Sequence, residues 1–290
     1  MALSLGALSL PASLEMGSRL RAIGGSSTSM EEVATTAVRM IREESLTNSN
    51  EPASALVRCF VTVRRRQLHG RLAELVRSRT EPNPDDQFLT LLATDGVEPD
   101  WCDRHRSRRH QIIPAGTTLG AMMFPMVTGM FRQFGDPLPV QPAQSEATVD
   151  PAERAFGVFH VENPLESPLI ADHDFIARYG VASVVGVGGR LPTGEVFALL
   201  IFSREHIDQA RAAYLQPWGL SITLALIPVY ERVFADEVAS GPSRVGEDDL
   251  RRFELATMRT LLDLQTALVS EDSRRLTASA GNEANTDPTA

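Results

Sequence analysis

The residues best suited to chemistry lie close together in the first half of the chain. Cys102, His105 and His110 can act as nucleophiles, bases or metal ligands, and Asp100 and Asp103 lie beside them. Cysteine, histidine and carboxylate side chains bind zinc, but C-x-x-H-x4-H is not a four-ligand zinc spacing. The arginines between these residues would also repel a cation. The sequence therefore predicts no metal site here.

Nucleophilic catalysis by Cys102, with His105 as the base, is the alternative chemistry for the same stretch. It requires a nucleophile, a base and a group that orients the base. No G-x-S-x-G pattern and no known cysteine-enzyme signature accompanies Cys102. The chain also contains no lysine, which excludes a lysine Schiff base and a P-loop lysine. We therefore expect a protein that is not an enzyme.

The glycine-rich stretch GVGGRLPTG, residues 186–194, is a second candidate, since glycine loops can bind phosphate. The dinucleotide fingerprint G-x-G-x-x-G would need glycine at Leu191 and a helix afterwards, whereas a strand-like run follows. The P-loop would need lysine and a hydroxyl residue where Glu195 and Val196 stand. The stretch is therefore predicted to be a tight turn between two strands.

Hydrophobic periodicity and turn residues predict the elements that surround these stretches. Ser29 and Glu32 form a capping box before a helix whose apolar face is Met30, Val33, Ala34, Ala37, Val38 and Ile41. Interleaved helices and strands with a hairpin predict an α+β fold with a mostly antiparallel sheet flanked by helices. The predicted helices are 30–46, 68–79, 117–135, 171–180, one that starts within 203–216, 217–235 and 248–269. The predicted strands are 54–63, 87–94, 156–162, 181–189 and 195–203.

The predicted organisation is one main domain at 29–235, a linker at 236–247 and an amphipathic C-terminal helix at 248–269. The apolar face of that helix contains Leu250, Phe253, Met258, Leu261, Leu264 and Leu268, widened by Leu255, Leu262 and Val269. Residues 1–28 are rich in Ser, Gly and Ala, and 270–290 are polar, so both ends are predicted to be disordered.

Composition narrows the classes of partner and compartment. The formal net charge of −9 argues against general nucleic-acid binding, which depends on neutralising phosphates. Two cysteines suggest no disulfide framework and fit a reducing compartment. The N-terminus lacks the basic region of a secretory signal, and the apolar run 218–229 is too short to span a bilayer. We expect a soluble, cytoplasmic protein with no membrane partner.

Two longer stretches are similar to a known family: FGVFHVENPLESP (156–168) and FIARYGVASVVGVGGRLPTGEVFALLIFSREHI (175–207). They resemble a GAF-type sensor region that precedes the kinase core in many bacterial histidine kinases, including hybrid ones. MEEVA (30–34), ALVRCF (55–60), TLLATDGVEPDW (90–101) and SRRHQIIP (107–114) resemble its earlier parts. The resemblance covers roughly residues 30–235.

The resemblance implies a GAF-like, five- to six-stranded antiparallel sheet with a small-molecule pocket on one face. In that family, N- and C-terminal helices commonly form a dimeric bundle that passes signals on. This chain departs from the kinase pattern, because no histidine follows His206 and no glycine-rich ATP-binding region is present after it. The implied function is a non-catalytic sensor module of a two-component system, without a kinase core. A ligand-free adaptor or dimerisation module with the same fold is the alternative.

The partners that the resemblance implies are a second copy of the chain, a small molecule and a histidine kinase or other signalling protein. The loop at 95–114 would lie over the sheet, with the methionine-rich helix as an apolar wall. An arginine in that loop suits an anionic ligand. The alternative is that the polar loop residues only hold the loop in place. The candidate ligand-binding residues are Ser107, Arg108, His110, Gln111, His160 and Tyr179.

The cofactor of such a pocket stays open. Some GAF relatives bind bilins through cysteine or haem through histidine, which makes Cys102, His110 and His160 the residues to consider. No chromophore-attachment sequence accompanies them, so hydrogen-bonding roles are the favoured interpretation.

Overall fold

The computed structural model places a six-stranded sheet at the centre of the molecule. Its strands are β1 (Ser54–Arg64), β2 (Gln87–Gly96), β3 (Ile112–Ala115), β4 (Val158–Val161), β5 (Ser183–Arg190) and β6 (Val196–Ser203). They lie in the order β3-β2-β1-β6-β5-β4, and every neighbouring pair is antiparallel. The residues that the structure describes are 3–47, 49–77, 86–107, 110–115, 124–133, 157–235 and 245–283.

Helices flank this sheet and confirm the predicted α+β class. In chain order they are α1 (Leu10–Ala22), α2 (Met30–Glu44), α3 (Gly70–Arg77), α4 (Pro125–Gln133), α5 (His173–Tyr179), α6 (Gln209–Tyr214), α7 (Gln216–Leu226) and α8 (Glu247–Glu283). The methionine-rich helix predicted at 117–135 corresponds to α4, which begins at Pro125; residues 116–123 and 134–156 lie outside the described residues.

Helix α2 begins at the predicted cap. Ser29 Oγ accepts a hydrogen bond from the backbone N–H of Glu32 at 3.2 Å. The Glu32 carboxylate accepts from the N–H and the hydroxyl of Thr28, at 2.6 and 2.9 Å, and these bonds lower the pKa of Glu32. The apolar face predicted for this helix is confirmed, since all of its residues are buried: Met30, Val33, Ala34, Ala37, Val38 and Ile41.

The N-terminal segment corrects the prediction that residues 1–28 are disordered. Its described part contains α1, which packs against α7. The indole N–H of Trp218 donates to the carbonyl of Ser13 at 3.0 Å, and a Cβ placed on Gly17 would lie 3.2 Å from the Ser221 hydroxyl. The small residues that suggested disorder allow the two helices to approach closely. The large side chains buried in this segment are Leu3, Leu5, Leu8, Leu10, Met16, Leu20 and Ile23.

The glycine-rich stretch is the predicted turn between β5 and β6. The backbone N–H of Gly194 donates to the carbonyl of Leu191 at 2.9 Å, and Pro192 occupies the second position of that turn. Gly194 has a φ of 93°, a conformation that favours a residue without Cβ. No phosphate-binding loop is formed by these described residues.

Strand β3 lies at an edge of the sheet, within a segment predicted to be irregular. It is four residues long and pairs with β2. Pro114 lies inside it, and a proline, which has no N–H to donate, is tolerated on an edge strand. Because β3 is short and contains a proline, its sequence does not have the pattern by which strands are predicted.

The sheet separates two hydrophobic clusters. Helices α1, α2 and α7 cover one face, called the helical face below, where the core includes Val57, Cys59, Leu199 and Trp218. Helices α4 and α5 lie over the other face, called the cavity face. Alternate residues of the central strands therefore belong to different clusters, as the two-residue period of a strand requires.

The C-terminal helix is longer than predicted and has two apolar faces. α8 extends to Glu283, so the prediction of a disordered tail from residue 270 is wrong over its described part. Its inner face packs on α7 through Phe253, Leu261 and Leu264. A second set, called the outer stripe, is exposed: Leu255, Met258, Leu262 and Val269. The prediction that Met258 lies on the packed face, and that the other three widen that face, is therefore wrong.

One apolar helical stretch resembles a membrane span by length. Within the described residues, Gln209–Val229 is the single stretch long and apolar enough to cross a bilayer, and most of it is buried inside the molecule. Core helices of globular proteins have the same length and composition, so this is weak evidence for a span.

Candidate functional site

A cavity of about 610 Å³ lies on the cavity face of the sheet. Its floor comes from the central strands, and α4 and α5 form walls. The short helical turn Pro99–Trp101 and the loop that follows it contribute a third side. A volume of this size is typical of pockets that bind small molecules.

Most of the lining is apolar. The sheet contributes Leu56, Phe60 and Leu200, and α4 contributes Met126 and Val127. The predicted apolar wall from the methionine-rich segment is therefore present in the described part of that segment. An apolar lining favours a ligand with a substantial hydrophobic body.

Aromatic rings form one continuous wall. Phe175 lies at the centre, with its ring centroid 5.6 Å from Trp101, 5.4 Å from Tyr179 and 5.3 Å from Phe202. Trp101 and Tyr179 are 4.8 Å apart in a tilted, edge-on arrangement. Such contacts stabilise the wall and present flat apolar surfaces to the cavity.

The Tyr179 hydroxyl is held by an acidic side chain. It donates to Glu98 Oε1 at 2.8 Å, and this bond raises the pKa of the phenol. The ring therefore keeps a fixed orientation in the wall, and its hydroxyl remains protonated at neutral pH.

Arg58 is the charged group deepest in this lining. It lies in β1 between Leu56 and Phe60, and 8% of the residue is exposed. Its Nη2 donates to Ser107 Oγ at 3.0 Å, and its Nη1 lies 3.3 Å from Nδ1 of His110. Both partners come from the loop predicted to lie over the sheet.

The Arg58 guanidinium keeps its charge in this position. Burial lowers its pKa to about 10, which is still well above neutral pH. Among the described residues, no carboxylate forms an ion pair with it, and its Nε has no hydrogen-bond partner. A buried cation without a carboxylate partner is costly, because desolvation is not offset by an opposite charge.

Exposed charges surround the mouth of the cavity. Arg106 and Arg178 are basic, and Asp100, Asp172 and Asp174 are acidic. These groups are solvated, so their fields are screened and their contribution to binding is smaller than that of a buried charge.

Three of the predicted site residues line the cavity: Ser107, His110 and Tyr179. His110 adopts a φ of 65°, which is uncommon for a residue with a side chain. Its ring lies edge-on to Phe124, with the centroids 5.9 Å apart. Arg108 lies outside the described residues.

Gln111 and His160 are not part of the cavity lining, which corrects their placement. Gln111 Nε2 donates to the carbonyls of Arg104 and His105, at 3.0 and 3.1 Å, and so holds the loop in place. The ring of His160 contacts Gln209 Oε1 at 3.1 Å and the Ile207 carbonyl at 2.8 Å. The hydrogen bonds of Gln111 and His160 are thus made within the protein, in agreement with the alternative of a structural role.

The described residues do not form the catalytic or metal site that was considered around Cys102. Cys102 Sγ lies 3.4 Å from the carbonyl of Gly96, and Cys102 is not in the cavity lining. Across the described parts of the chain, no three His, Cys, Asp or Glu side chains are grouped closely enough to bind a metal ion. Of the residues considered for haem or bilin, His110 lines the cavity, whereas Cys102 and His160 do not.

Sequence reasoning missed Arg58, although a signal was present. SALVRCFVTV has one charged residue in an otherwise apolar strand, and its neighbours at a spacing of two are Leu56 and Phe60. An arginine on the buried side of a central strand needs either a partner or a function. The aromatic wall was missed because its members come from separate parts of the chain.

No model of a known protein family matches this chain, and no curated protein matches it at a significant level of similarity. The candidate site is therefore interpreted from its own geometry.

Proposed function

We propose that this chain is a non-catalytic, GAF-type sensor module that binds a small molecule in the cavity and signals its occupancy to another polypeptide. The observation that carries this proposal is the cavity of about 610 Å³, open on one face of the sheet and lined by apolar and aromatic side chains. A ligand-free adaptor would have no use for such a volume, because unfilled apolar cavities lower stability. The resemblance to GAF sensor regions supports the same function.

The route from the cavity to the helices passes through the central strands. Leu200 and Phe202 of β6 line the cavity. The alternating residues of the same strand, Leu199 and Ile201, lie in the core of the helical face. A ligand that shifts β6 therefore changes packing on both sides of the sheet, because tightly packed cores transmit displacement.

Helix α7 connects that core to α8. A Cβ placed on Gly219 of α7 would lie 2.9 Å from the carbonyl of Gly188 in β5, so the helix and the strand are in close contact. On its other side α7 contacts Leu261 of α8. The proposed output is the position of α8 and of its outer stripe.

The outer stripe is proposed as the surface where a second copy binds. Leu255 is 60% and Leu262 is 63% exposed, and with Met258 and Val269 they recur at intervals of three, four and seven residues. This spacing is typical of a helix that pairs with another helix. Glu254 and Arg259 flank the stripe on opposite sides, so two parallel copies would place unlike charges opposite each other.

Thermal denaturation with a panel of small carboxylic acids, alcohols and amines tests the binding function. We expect at least one compound to raise the midpoint of wild-type unfolding by several degrees, because a ligand stabilises the state that binds it. Val127→Trp, which fills the cavity, should abolish that shift. Leu165→Trp, at an exposed apolar residue outside the lining, should retain it. No shift with any compound, or an equal shift in both variants, would favour the adaptor.

Sedimentation velocity tests the proposed dimer separately. We expect wild type to be a dimer and the double variant Leu255→Glu/Leu262→Glu to be a monomer, because the substitutions place charges in the pairing surface. Leu165→Glu is the matched control, since it changes an exposed leucine away from α8. A monomeric wild type, or a double variant that is still dimeric, would exclude the outer stripe as the pairing surface.

A further inference from the structure

Arg58 is a costly residue for its place in the sheet, and its contacts among the described residues are two hydrogen bonds to the loop that follows Trp101. It lies between two apolar residues of β1, at a position where the same strand face otherwise contributes to a hydrophobic cluster. In register with it are Leu200 of β6 and Thr94 of β2, neither of which carries a charge. A leucine or methionine would fill this position without the cost of burying a cation.

The hydrogen bonding of Arg58 is incomplete within the described residues. A guanidinium carries five N–H groups, and hydrogen bonds link two of its nitrogens to Ser107 and His110. The Nε atom is buried without a partner. Buried donors are almost always paired in native proteins, so the remaining donors point to an acceptor that the described residues do not supply.

We propose that the cavity binds an amphipathic organic monoanion, with a carboxylate or similar single anionic group beside Arg58 and an apolar body against the aromatic wall. The inference rests on the proposed function, because it specifies the ligand class of the same cavity. The anion would neutralise the buried cation and accept from its remaining N–H groups, and hydrogen bonds of this charge-assisted kind are stronger than neutral ones.

The charges of the lining favour one negative charge on the ligand over several. Among the described lining residues, Arg58, Arg106 and Arg178 are matched in number by three aspartates. Arg106, Arg178 and the three aspartates are exposed at the mouth, whereas Arg58 is buried. A multiply charged anion would find one buried guanidinium to pair with, and each further charge would lose its hydration against an apolar lining.

The apolar part of the ligand is indicated by the rest of the cavity lining. Trp101, Phe175, Tyr179 and Phe202 present a joined aromatic surface, and Leu56, Phe60 and Leu89 cover the sheet side. A flat ring or an alkyl chain can contact both surfaces. Small hydrophilic anions would leave this apolar area unused.

Three probes of matched shape test the inference: 4-phenylbutanoate, 4-phenylbutan-1-ol and 4-phenylbutylamine. They share one apolar body and differ in carrying a negative charge, no charge or a positive charge. Binding is measured by calorimetry and by the fluorescence of Trp101, which lies in the wall; the other tryptophan, Trp218, is buried on the helical face. A Trp101→Phe variant that loses the signal but still binds by calorimetry locates the probe in the cavity.

In wild type we expect the anion to bind about 10- to 100-fold more tightly than the alcohol, and the amine to bind most weakly. Arg58→Met should remove the preference for the anion and leave alcohol binding within about threefold, because the charge and not the cavity is lost. Arg58→Lys, which keeps the charge without the planar donors, should lie between the two.

Arg39→Met is the matched control, since Arg39 is an exposed arginine of α2 that does not line the cavity. It should change anion binding less than about threefold because water screens an exposed charge. Circular dichroism of each variant establishes that it is folded before its binding is interpreted.

The binding results test the anionic ligand class and the small-molecule function separately. If none of the three probes binds wild type at millimolar concentration, the inferred ligand class is overturned, and the broader compound panel decides the small-molecule function. If all three bind equally, or if Arg58→Met keeps the preference for the anion, the cavity is a binding site but the anionic ligand class is overturned.

Discussion

Arg58 and Cys59 follow one another in β1, yet their side chains lie on opposite faces of the sheet in different environments. Cys59 lies in the packed core of the helical face, where burial raises the pKa of its thiol to about 12 and keeps it neutral. Arg58 lies in the cavity lining, where burial lowers its pKa to about 10 and leaves it charged. The helical face is thus arranged for stability, whereas the cavity face retains an empty volume and a charge that both lower stability.

The sharpest test of this difference compares two adjacent leucines of β6. Leu199→Ala, on the helical face, should lower the free energy of unfolding by roughly 3–5 kcal/mol, because it opens a void in a packed core. Leu200→Ala, which enlarges an existing cavity, should cost closer to 2 kcal/mol, mainly the lost transfer energy of the removed atoms. Urea denaturation followed by circular dichroism measures both. Equal losses would mean that the cavity face is packed as tightly as the helical face.

A second test removes the buried charge in the absence of ligand. Arg58→Met should raise the free energy of unfolding by about 1–3 kcal/mol, since a well-packed apolar side chain replaces an uncompensated cation. The exposed Arg178→Met should change it by less than about 0.5 kcal/mol. The same urea titration detects either effect. A destabilised Arg58→Met protein would assign Arg58 a structural role.

The two ionisable neighbours also predict a dependence on alkaline pH. Cys59 ionises near its ordinary value of 9.0 when unfolded and at about 12 when folded, so the unfolded state loses its proton first. The free energy of unfolding should therefore fall as pH rises above 9, by about 1.4 kcal/mol between pH 8 and pH 10. Cys59→Ala should lack this difference.

Arg58 changes the free energy of unfolding in the opposite direction and at higher pH than Cys59. Its folded pKa of about 10 lies below its ordinary 12.5, so the folded state loses its proton first and stability rises with pH above about 10. Its penalty is constant below that range and does not disturb the comparison of Cys59→Ala with wild type. Denaturation curves at pH 8, 9 and 10 suffice; parallel losses in both proteins would place the alkaline effect elsewhere.

The smallest expected effect concerns the border of the cavity. Gln111→Ala should lower the free energy of unfolding by about 0.5–1.5 kcal/mol, through the lost bonds to the carbonyls of Arg104 and His105. It should leave 4-phenylbutanoate binding within about twofold of wild type. Ser107→Ala should instead weaken that binding severalfold, because Ser107 orients Arg58. If calorimetry showed that Gln111→Ala weakens 4-phenylbutanoate binding and Ser107→Ala does not, Gln111 and not Ser107 would contribute to the binding site.

Local signals explain which parts of the fold could be predicted. The cap at Ser29 and the apolar period of α2 lie within a few residues of each other, and the turn at Gly194 depends on its own proline and glycine. Both features are confirmed. α1 could not be predicted in this way, because its small residues are meaningful only against α7, which follows about two hundred positions later in the chain.

The candidate site was predictable only where one loop carries it. Ser107 and His110 stand out as polar residues in a long loop, and both reach the cavity. Arg58 depends on strand register and on what covers one face of the sheet, neither of which is encoded next to it in the sequence. Gln111 was predicted to bind a ligand because its side chain is polar and lies in the same loop. Its amide instead donates to a backbone carbonyl of that loop and holds the loop in place.

Helix α8 has a mechanical consequence that follows from its length. Its 37 residues span about 55 Å at 1.5 Å per residue. Among the side chains that the structure describes, its buried contacts end near Leu268, and a last tie runs from the Tyr214 hydroxyl to Asp272. The final turns, as far as Glu283, extend about 16 Å past that tie. The helix is therefore a lever with its fulcrum on α7, and a small tilt at the fulcrum becomes a larger displacement at the free end.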